Sequence, residues 1–189
     1  MEDKEIIELF WARDERAVEA ATLKYGRYCR AIADNILHDA EDAAECVNDT
    51  WLHAWNSIPP HRPEHLGAYL GKLTRWISLK RWRDGRTQKR GGGQTELVYE
   101  ELSECIPCGD GPDEALQAKE LSKHIDRFLA ALPQMDRMLF VCRYWYFEPI
   151  PSIASRYGFS RSKVKTTLWR LRKKLLETLK EEGVLDEYG

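Results

Sequence analysis

The sequence has no hydrophobic run long enough to cross a membrane, and it does not begin like a secretory signal. A membrane-spanning helix needs about 20 consecutive apolar residues. A signal peptide starts with a basic segment followed by an apolar one, whereas the segment from Met1 to Glu5 is mostly acidic. We therefore expect a cytoplasmic protein with no direct membrane insertion.

Cysteine is sparse and irregularly spaced. The five cysteines are Cys29, Cys46, Cys105, Cys108 and Cys142. An odd, scattered set is unlike the framework of a secreted disulfide scaffold, so reduced thiols are expected. Cys105 and Cys108 form a CxxC without a second pair, whereas a structural zinc site normally has four ligands. The sequence favours incidental cysteines over metal or redox use, and we expect no metal and no cofactor.

The sequence also lacks the alternating β-branched pattern of a strand, and it contains no internal repeat. Apolar residues instead recur at three- and four-residue steps, which is the helical period. In the first half, such stripes predict three packed helices covering 21–36, 44–58 and 66–77, with a short candidate helix at 6–10. Asp39 is predicted to cap the second of the three.

Helical periodicity fails between Asp84 and Pro112, where glycine and proline recur. It returns from Ala118 to Tyr146. The sequence therefore predicts an all-α protein made of two small helical domains, residues 1–84 and 113–183, joined by a flexible linker over 85–112.

Net charge is small, at −2, but the basic residues are segregated along the chain. No acidic residue lies between Arg156 and Lys174, a stretch rich in arginine and lysine, and Asp84 is the only acid between Arg75 and Arg90. Two basic stretches in an otherwise acidic chain indicate contact with a polyanion at two places.

The segment from Pro149 to Arg170 has the pattern of a helix-turn-helix. Pro151 suits the first turn of a short helix, Gly158 suits its left-handed end, and Ser160 can cap a second helix. The predicted inner face of that second helix is Val164, Leu168, Leu171, Leu175 and Leu179. Its predicted DNA-binding residues are Arg161, Ser162, Lys163, Lys165, Thr166 and Arg170. Cationic and polar side chains at the start of a recognition helix contact base edges and phosphates, although an ordinary helical hairpin with a solvated basic face remains the alternative.

Two segments resemble the sigma factors of bacterial RNA polymerase, within the extracytoplasmic-function (ECF) group of the sigma-70 family. Asp39 to Trp55 is similar to the acidic helix of the family's region two, and Ala131 to Leu171 is similar to region four. Their order and separation also match. The resemblance implies a region-two helical bundle over 1–84, a region-four helix-turn-helix over 113–183, and no enzymatic activity.

The resemblance also implies partners. The region-two helix of the family docks on the clamp of the largest subunit of core RNA polymerase, and region four contacts the flap of the second-largest subunit. The residues carried over for clamp binding are Asp42, Glu45, Asn48 and Asp49. A solvated acidic face is the alternative. Regulation by an anti-sigma factor stays open.

Promoter DNA is the other implied partner. Holding unpaired bases requires stacking surfaces and phosphate contacts, and the family uses the third helix and the loop before it, here 58–65. The predicted DNA-binding residues are Lys72, Arg75, Trp76, Lys80 and Arg83. Tyr69 is assigned to the core because it belongs to the apolar stripe. The family often has asparagine at the position of Trp76, so promoter preference does not carry over.

The sequence-based hypothesis is a sigma factor that directs core polymerase to promoters and assists DNA melting. One rival is a stand-alone helix-turn-helix transcriptional regulator. Another is a metal-dependent nucleic-acid enzyme, because Asp49 and His53 are spaced i, i+4. The absence of other catalytic groups argues against that enzyme.

Overall fold

The structure is a computed structural model that describes residues 1–86, 94–103 and 114–184. Within these ranges all regular secondary structure is helical, which confirms the predicted all-α class. The helices are α1 (Asp3–Trp11), α2 (Arg16–Leu37), α3 (Ala40–Ser57), α4 (Leu66–Arg86), α5 (Gln94–Ser103), α6 (Glu114–Ala131), α7 (Gln134–Tyr144), α8 (Ile150–Tyr157) and α9 (Arg161–Glu181). The chain divides into two compact units, Met1–Gly91 and Gly92–Gly189, which we call the N-terminal and C-terminal units.

In the N-terminal unit, α2, α3 and α4 pack against one another and α1 covers one side. The connection between α2 and α3 follows from local chemistry. His38 ends α2 in the left-handed conformation, with φ of 54°. The Asp39 side chain then accepts hydrogen bonds from the backbone N–H groups of Glu41 and Asp42, which confirms the predicted cap of α3. The largest group of buried core residues is Ile6, Ile7, Phe10, Ala17, Ala21, Cys29, Trp51, Ala54, Ile58, Leu66 and Leu70, and a second group is Ala33, Ala43, Cys46 and Ile77.

Two glycines allow α4 to approach α2 closely. A Cβ atom at Gly67 would lie 2.8 Å from Tyr25 Cε1, and one at Gly71 would lie 2.9 Å from Tyr28 Cε1. Real Cβ atoms are essentially never found at such distances. The two tyrosine rings therefore occupy the space that side chains at these α4 positions would need.

In the C-terminal unit, α9 is the longest helix and packs against α6, α7 and α8. The five apolar residues predicted as its inner face are all buried, which confirms that prediction. Leu139 and Phe140 of α7 and Ile153 of α8 are also buried in this unit. Continuous burial along α9 leaves its opposite side at the surface.

The prediction that helical structure is absent from 85–112 is wrong at two places, because residues 85 and 86 end α4 and residues 94–103 form α5. Thr95 and Val98 of this helix are buried. Tertiary contacts thus stabilise a helix that intrinsic propensity did not reveal. The rest of the predicted linker, residues 87–93 and 104–112, lies outside the described residues, and with it the Gly91–Gly93 run, Cys105 and Cys108.

A largely buried ionic cluster joins α5 to α7 and α9. Glu101 accepts hydrogen bonds from Arg143 at 2.7 and 3.1 Å and from the Tyr144 hydroxyl at 3.0 Å. Arg172 lies 3.6 Å from the same carboxylate and donates to the Tyr144 hydroxyl at 2.6 Å. Burial raises the pKa of Tyr144, and the nearby Glu101 charge adds to this effect. This cluster explains why α5 belongs to the C-terminal unit.

Across the residues that the structure describes, no helix combines the length and apolar character that a membrane crossing requires.

Candidate functional surfaces

The first candidate surface is the outer side of α3. Glu45 and Asn48 are exposed there, and Asp42 and Asp49 are half-buried. The opposite side of α3 packs toward the interior of the unit. Trp51 is buried there, and the buried hydroxyl of Thr50 is hydrogen bonded to that of Thr74 of α4 at 3.1 Å. We call Asp42, Glu45, Asn48 and Asp49 the acidic face. The structure places all four predicted residues on one side of one helix.

Arg81 of α4 lies against this acidic face, which sequence reasoning did not predict. Its Nη2 atom lies 2.5 Å from Glu45 Oε2 and its Nε atom lies 3.2 Å from Asp42 Oδ1. Its Nη1 atom also lies 3.8 Å from Cys46 Sγ. Burial raises the pKa of the Cys46 thiol, against the lowering effect of Arg81. The only sequence signal for Arg81 was its membership of the basic stretch from Arg75 to Arg90.

The second candidate surface lies on α4 and contains an exposed tryptophan. Trp76 is 48% exposed, the Lys80 ammonium lies 5.7 Å from its ring centroid, and His53 of α3 makes an edge contact at 5.7 Å. Lys72 and Arg83 are also exposed, and their spacing of four and three residues from Trp76 and Lys80 places them on the same side of the helix. We call Lys72, Trp76, Lys80 and Arg83 the aromatic-basic face.

The two other α4 residues considered from sequence have different environments. Arg75 is half-buried, so it is less accessible than the aromatic-basic face. Tyr69 packs against the core cluster, as predicted, and its hydroxyl lies 2.5 Å from Ser57 Oγ. A stacking role is therefore better suited to Trp76 than to Tyr69.

The loop before α4 is held by contacts with neighbouring helices. Ile58 is fully buried, and the His61 ring stacks on Tyr69 with centroids 6.1 Å apart. Arg62 pairs with Glu8 of α1 and places its guanidinium 5.3 Å from the Trp11 ring centroid. These contacts give the predicted DNA-proximal loop 58–65 a defined position beside the start of α4.

The third candidate surface is formed by α8, a short turn and α9. Gly158 ends α8 with φ of 67°, a left-handed conformation that glycine adopts without a Cβ penalty. Ser160 begins α9 by accepting a hydrogen bond from the Lys163 N–H at 3.1 Å. Pro151 lies in the first turn of α8. These observations confirm the predicted helix, turn and helix.

The side chains at the start of α9 point outward. The exposed residues predicted to bind DNA are Arg161, Ser162, Lys163, Lys165, Thr166 and Arg170. Arg170 differs from the others because it pairs with Asp136 of α7 at 3.1 Å. Trp169 is 51% exposed and lies 4.5 Å from the Lys173 ammonium, measured to the ring centroid, and it was not among the residues predicted from sequence.

Comparison with known protein families and with curated proteins gives no match. The functional interpretation of the three surfaces therefore depends on their own residues and on the resemblance of the two sequence segments. A proposed function has to explain three surfaces, which are the acidic face, the aromatic-basic face and the start of α9.

The i, i+4 spacing of Asp49 and His53 raised the possibility of a metal site. Among the described residues, no group of three or more His, Cys, Asp or Glu side chains is arranged to hold a metal ion. His53 instead contacts the edge of Trp76. The geometry gives the metal-enzyme alternative no positive support within the described part of the chain.

Proposed function

We propose that this protein is a sigma-type transcription initiation factor of the ECF group. In this proposal the N-terminal unit binds the clamp of core RNA polymerase through the acidic face and single-stranded promoter DNA through the aromatic-basic face. The C-terminal unit reads an upstream promoter element through α9. Binding energy, and no bond chemistry, performs the function.

The observation that carries the proposal is the placement of two chemically opposite surfaces on adjacent helices of one small unit. An outward row of carboxylates and an amide on α3 suits a basic protein partner, since potentials across protein interfaces are complementary. An exposed indole with flanking ammonium and guanidinium groups on α4 suits unpaired nucleotides. A base stacked on an aromatic ring contributes about 1–3 kcal/mol to binding, and it does so with little sequence preference.

The C-terminal unit supports the same proposal independently. The exposed cations and hydroxyls at the start of α9 are the groups that contact phosphates and base edges in a major groove. Each phosphate that a lysine or arginine neutralises contributes about 0.9 to the slope of log affinity against log salt concentration. Two DNA-binding surfaces in one chain also raise each other's effective concentration.

Direct binding to core polymerase tests the proposal. The wild-type chain is labelled and titrated with core enzyme, and Asp49→Ala is compared with Glu19→Ala, which removes an exposed carboxylate from α2 instead of α3. Loss of a charged hydrogen-bond partner predicts roughly tenfold weaker binding for Asp49→Ala and no change for Glu19→Ala. Equal affinities for the two variants would contradict a role of the acidic face.

Other outcomes identify the rival functions. A stand-alone regulator binds symmetric operator DNA tightly as a dimer without polymerase, whereas the proposed sigma factor needs polymerase for tight promoter binding. A nucleic-acid enzyme shows metal-dependent turnover that Asp49→Ala abolishes. Either result, with no binding of core polymerase, would replace the proposal.

A further inference from the structure

Arg81 connects the helix that carries the aromatic-basic face to the acidic face. The guanidinium bridges two carboxylates, using Nη2 for Glu45 and Nε for Asp42, and its Nη1 atom approaches the sulfur of Cys46. These three contacts come from α3 residues at two successive turns. Arg81 thus engages α3 at several points from a single position on α4.

The exposures of the side chains show which of these groups faces a partner. The side chains of Asp42 and Glu45 are 48% and 59% exposed, whereas that of Arg81 is 31% exposed. Cys46, the third contact of Arg81, is completely buried. The guanidinium therefore lies behind the carboxylates, between α3 and α4, and leaves the carboxylates accessible to an approaching protein.

Holding these carboxylates in place has an energetic consequence. Like charges three residues apart on a helix repel each other, and a long side chain that becomes immobile on binding costs about 0.5–1.5 kcal/mol. The arginine fork is rigid and planar, so one guanidinium can fix two carboxylates at once. Side chains ordered before docking lose less freedom during docking.

We propose that Arg81 is a positioning residue for the polymerase-binding surface, which orders Asp42 and Glu45 for contact with basic groups of the clamp. The inference rests on the proposed polymerase binding of the acidic face. It adds a residue from α4, outside the helix that docks, to the determinants of that binding.

Arg81→Lys separates positioning from simple charge neutralisation. Lysine keeps the positive charge but carries one compact ammonium in place of the fork, so it does not reproduce the bridge between the two carboxylates. If Arg81 acts only through its charge, Arg81→Lys binds polymerase like the wild type and Arg81→Gln binds more tightly, because the acidic face becomes more negative. If Arg81 positions the carboxylates, both variants bind more weakly.

The experiment measures the affinity of the full-length chain for core polymerase with Arg81→Lys and Arg81→Gln. Arg16→Lys is the matched control, because Arg16 also makes a two-point contact with a carboxylate, that of Asp14, at a site without a predicted partner. We expect about fivefold weaker binding for both Arg81 variants, from the ordering cost of the two side chains, and unchanged binding for Arg16→Lys. Because exposed ion pairs contribute little to stability, the Arg81 variants should fold, and their thermal unfolding is measured in parallel.

A double-mutant cycle excludes a merely structural role. If Arg81 acts through Glu45, adding Arg81→Lys to Glu45→Gln weakens polymerase binding less than it does in the wild type. Full additivity, or wild-type affinity of Arg81→Lys, would overturn the inference. A wild-type chain that does not bind core polymerase overturns both this inference and the proposed function. Wild-type binding that is weakened by Asp49→Ala but not by Arg81→Lys overturns the inference alone.

Discussion

At the scale of single residues, the ion pairs around Glu101 and those around Arg81 differ in burial and therefore in what they do. Arg143 is 2% exposed beside Glu101, whereas the carboxylates bridged by Arg81 are about half exposed. A buried charge that loses its partner is costly, while an exposed pair contributes about 0–1 kcal/mol. The Glu101 cluster therefore contributes mainly to the stability of the C-terminal unit. The carboxylates that Arg81 contacts are instead accessible to a partner.

Glu101→Gln is expected to destabilise the C-terminal unit by about 3 kcal/mol, because the change leaves the Arg143 guanidinium buried without its charged partner. Asp136→Asn is the control, since it removes an ion pair to Arg170, whose side chain is 64% exposed, and it should cost less than about 1 kcal/mol. Urea unfolding followed by tryptophan fluorescence measures both. Similar losses from the two variants would show that the Glu101 cluster is not the main ionic contribution to stability.

At the scale of helices, local signals predicted several boundaries. Asp39 and Ser160 begin α3 and α9 by side-chain capping, and Gly158 ends α8, as the sequence indicated. These signals are reliable because each satisfies backbone groups within a few residues. The buried face of α9 was predictable for a similar reason, since its apolar period is long and regular.

Contacts between distant segments were not predictable. The sequence around α5 is broken by glycine and proline, and its helix depends on burial of Val98 and on the pairing of Glu101 with Arg143, 42 residues away. The position of Arg81 against α3 likewise depends on how two helices pack. The period of apolar residues shows which side of a helix is buried, but it does not show which residues of another helix that side contacts.

Replacing Gly71 of α4 and Gly26 of α2 by alanine is expected to change the stability of the protein in opposite directions. Gly71→Ala is expected to destabilise the protein by about 1–3 kcal/mol, because its Cβ would collide with the Tyr28 ring. Gly26→Ala is expected to stabilise it by about 0.5–1 kcal/mol, because its nearest contact, Thr22 Cγ2 at 3.7 Å, is ordinary and alanine favours helix. Calorimetric unfolding compares the two. A melting temperature for Gly71→Ala at or above that of the wild type would contradict the packing account.

At the scale of the whole molecule, charge segregation matters more than the net charge of −2. Asp42, Glu45 and Asp49 lie on the outer side of α3, and exposed bases lie on α4 and at the start of α9. Such a distribution allows one chain to engage a basic protein surface and a polyanion at the same time. Salt weakens interactions of both kinds.

Open-complex formation on a promoter library is the measurement that tests the sigma proposal most directly. Core polymerase is assayed with and without this protein, and DNA binding by the protein alone is measured alongside. We expect selective initiation that requires both components and that weakens with Asp49→Ala. Tight operator binding without polymerase, together with no initiation in its presence, would instead indicate a stand-alone helix-turn-helix regulator.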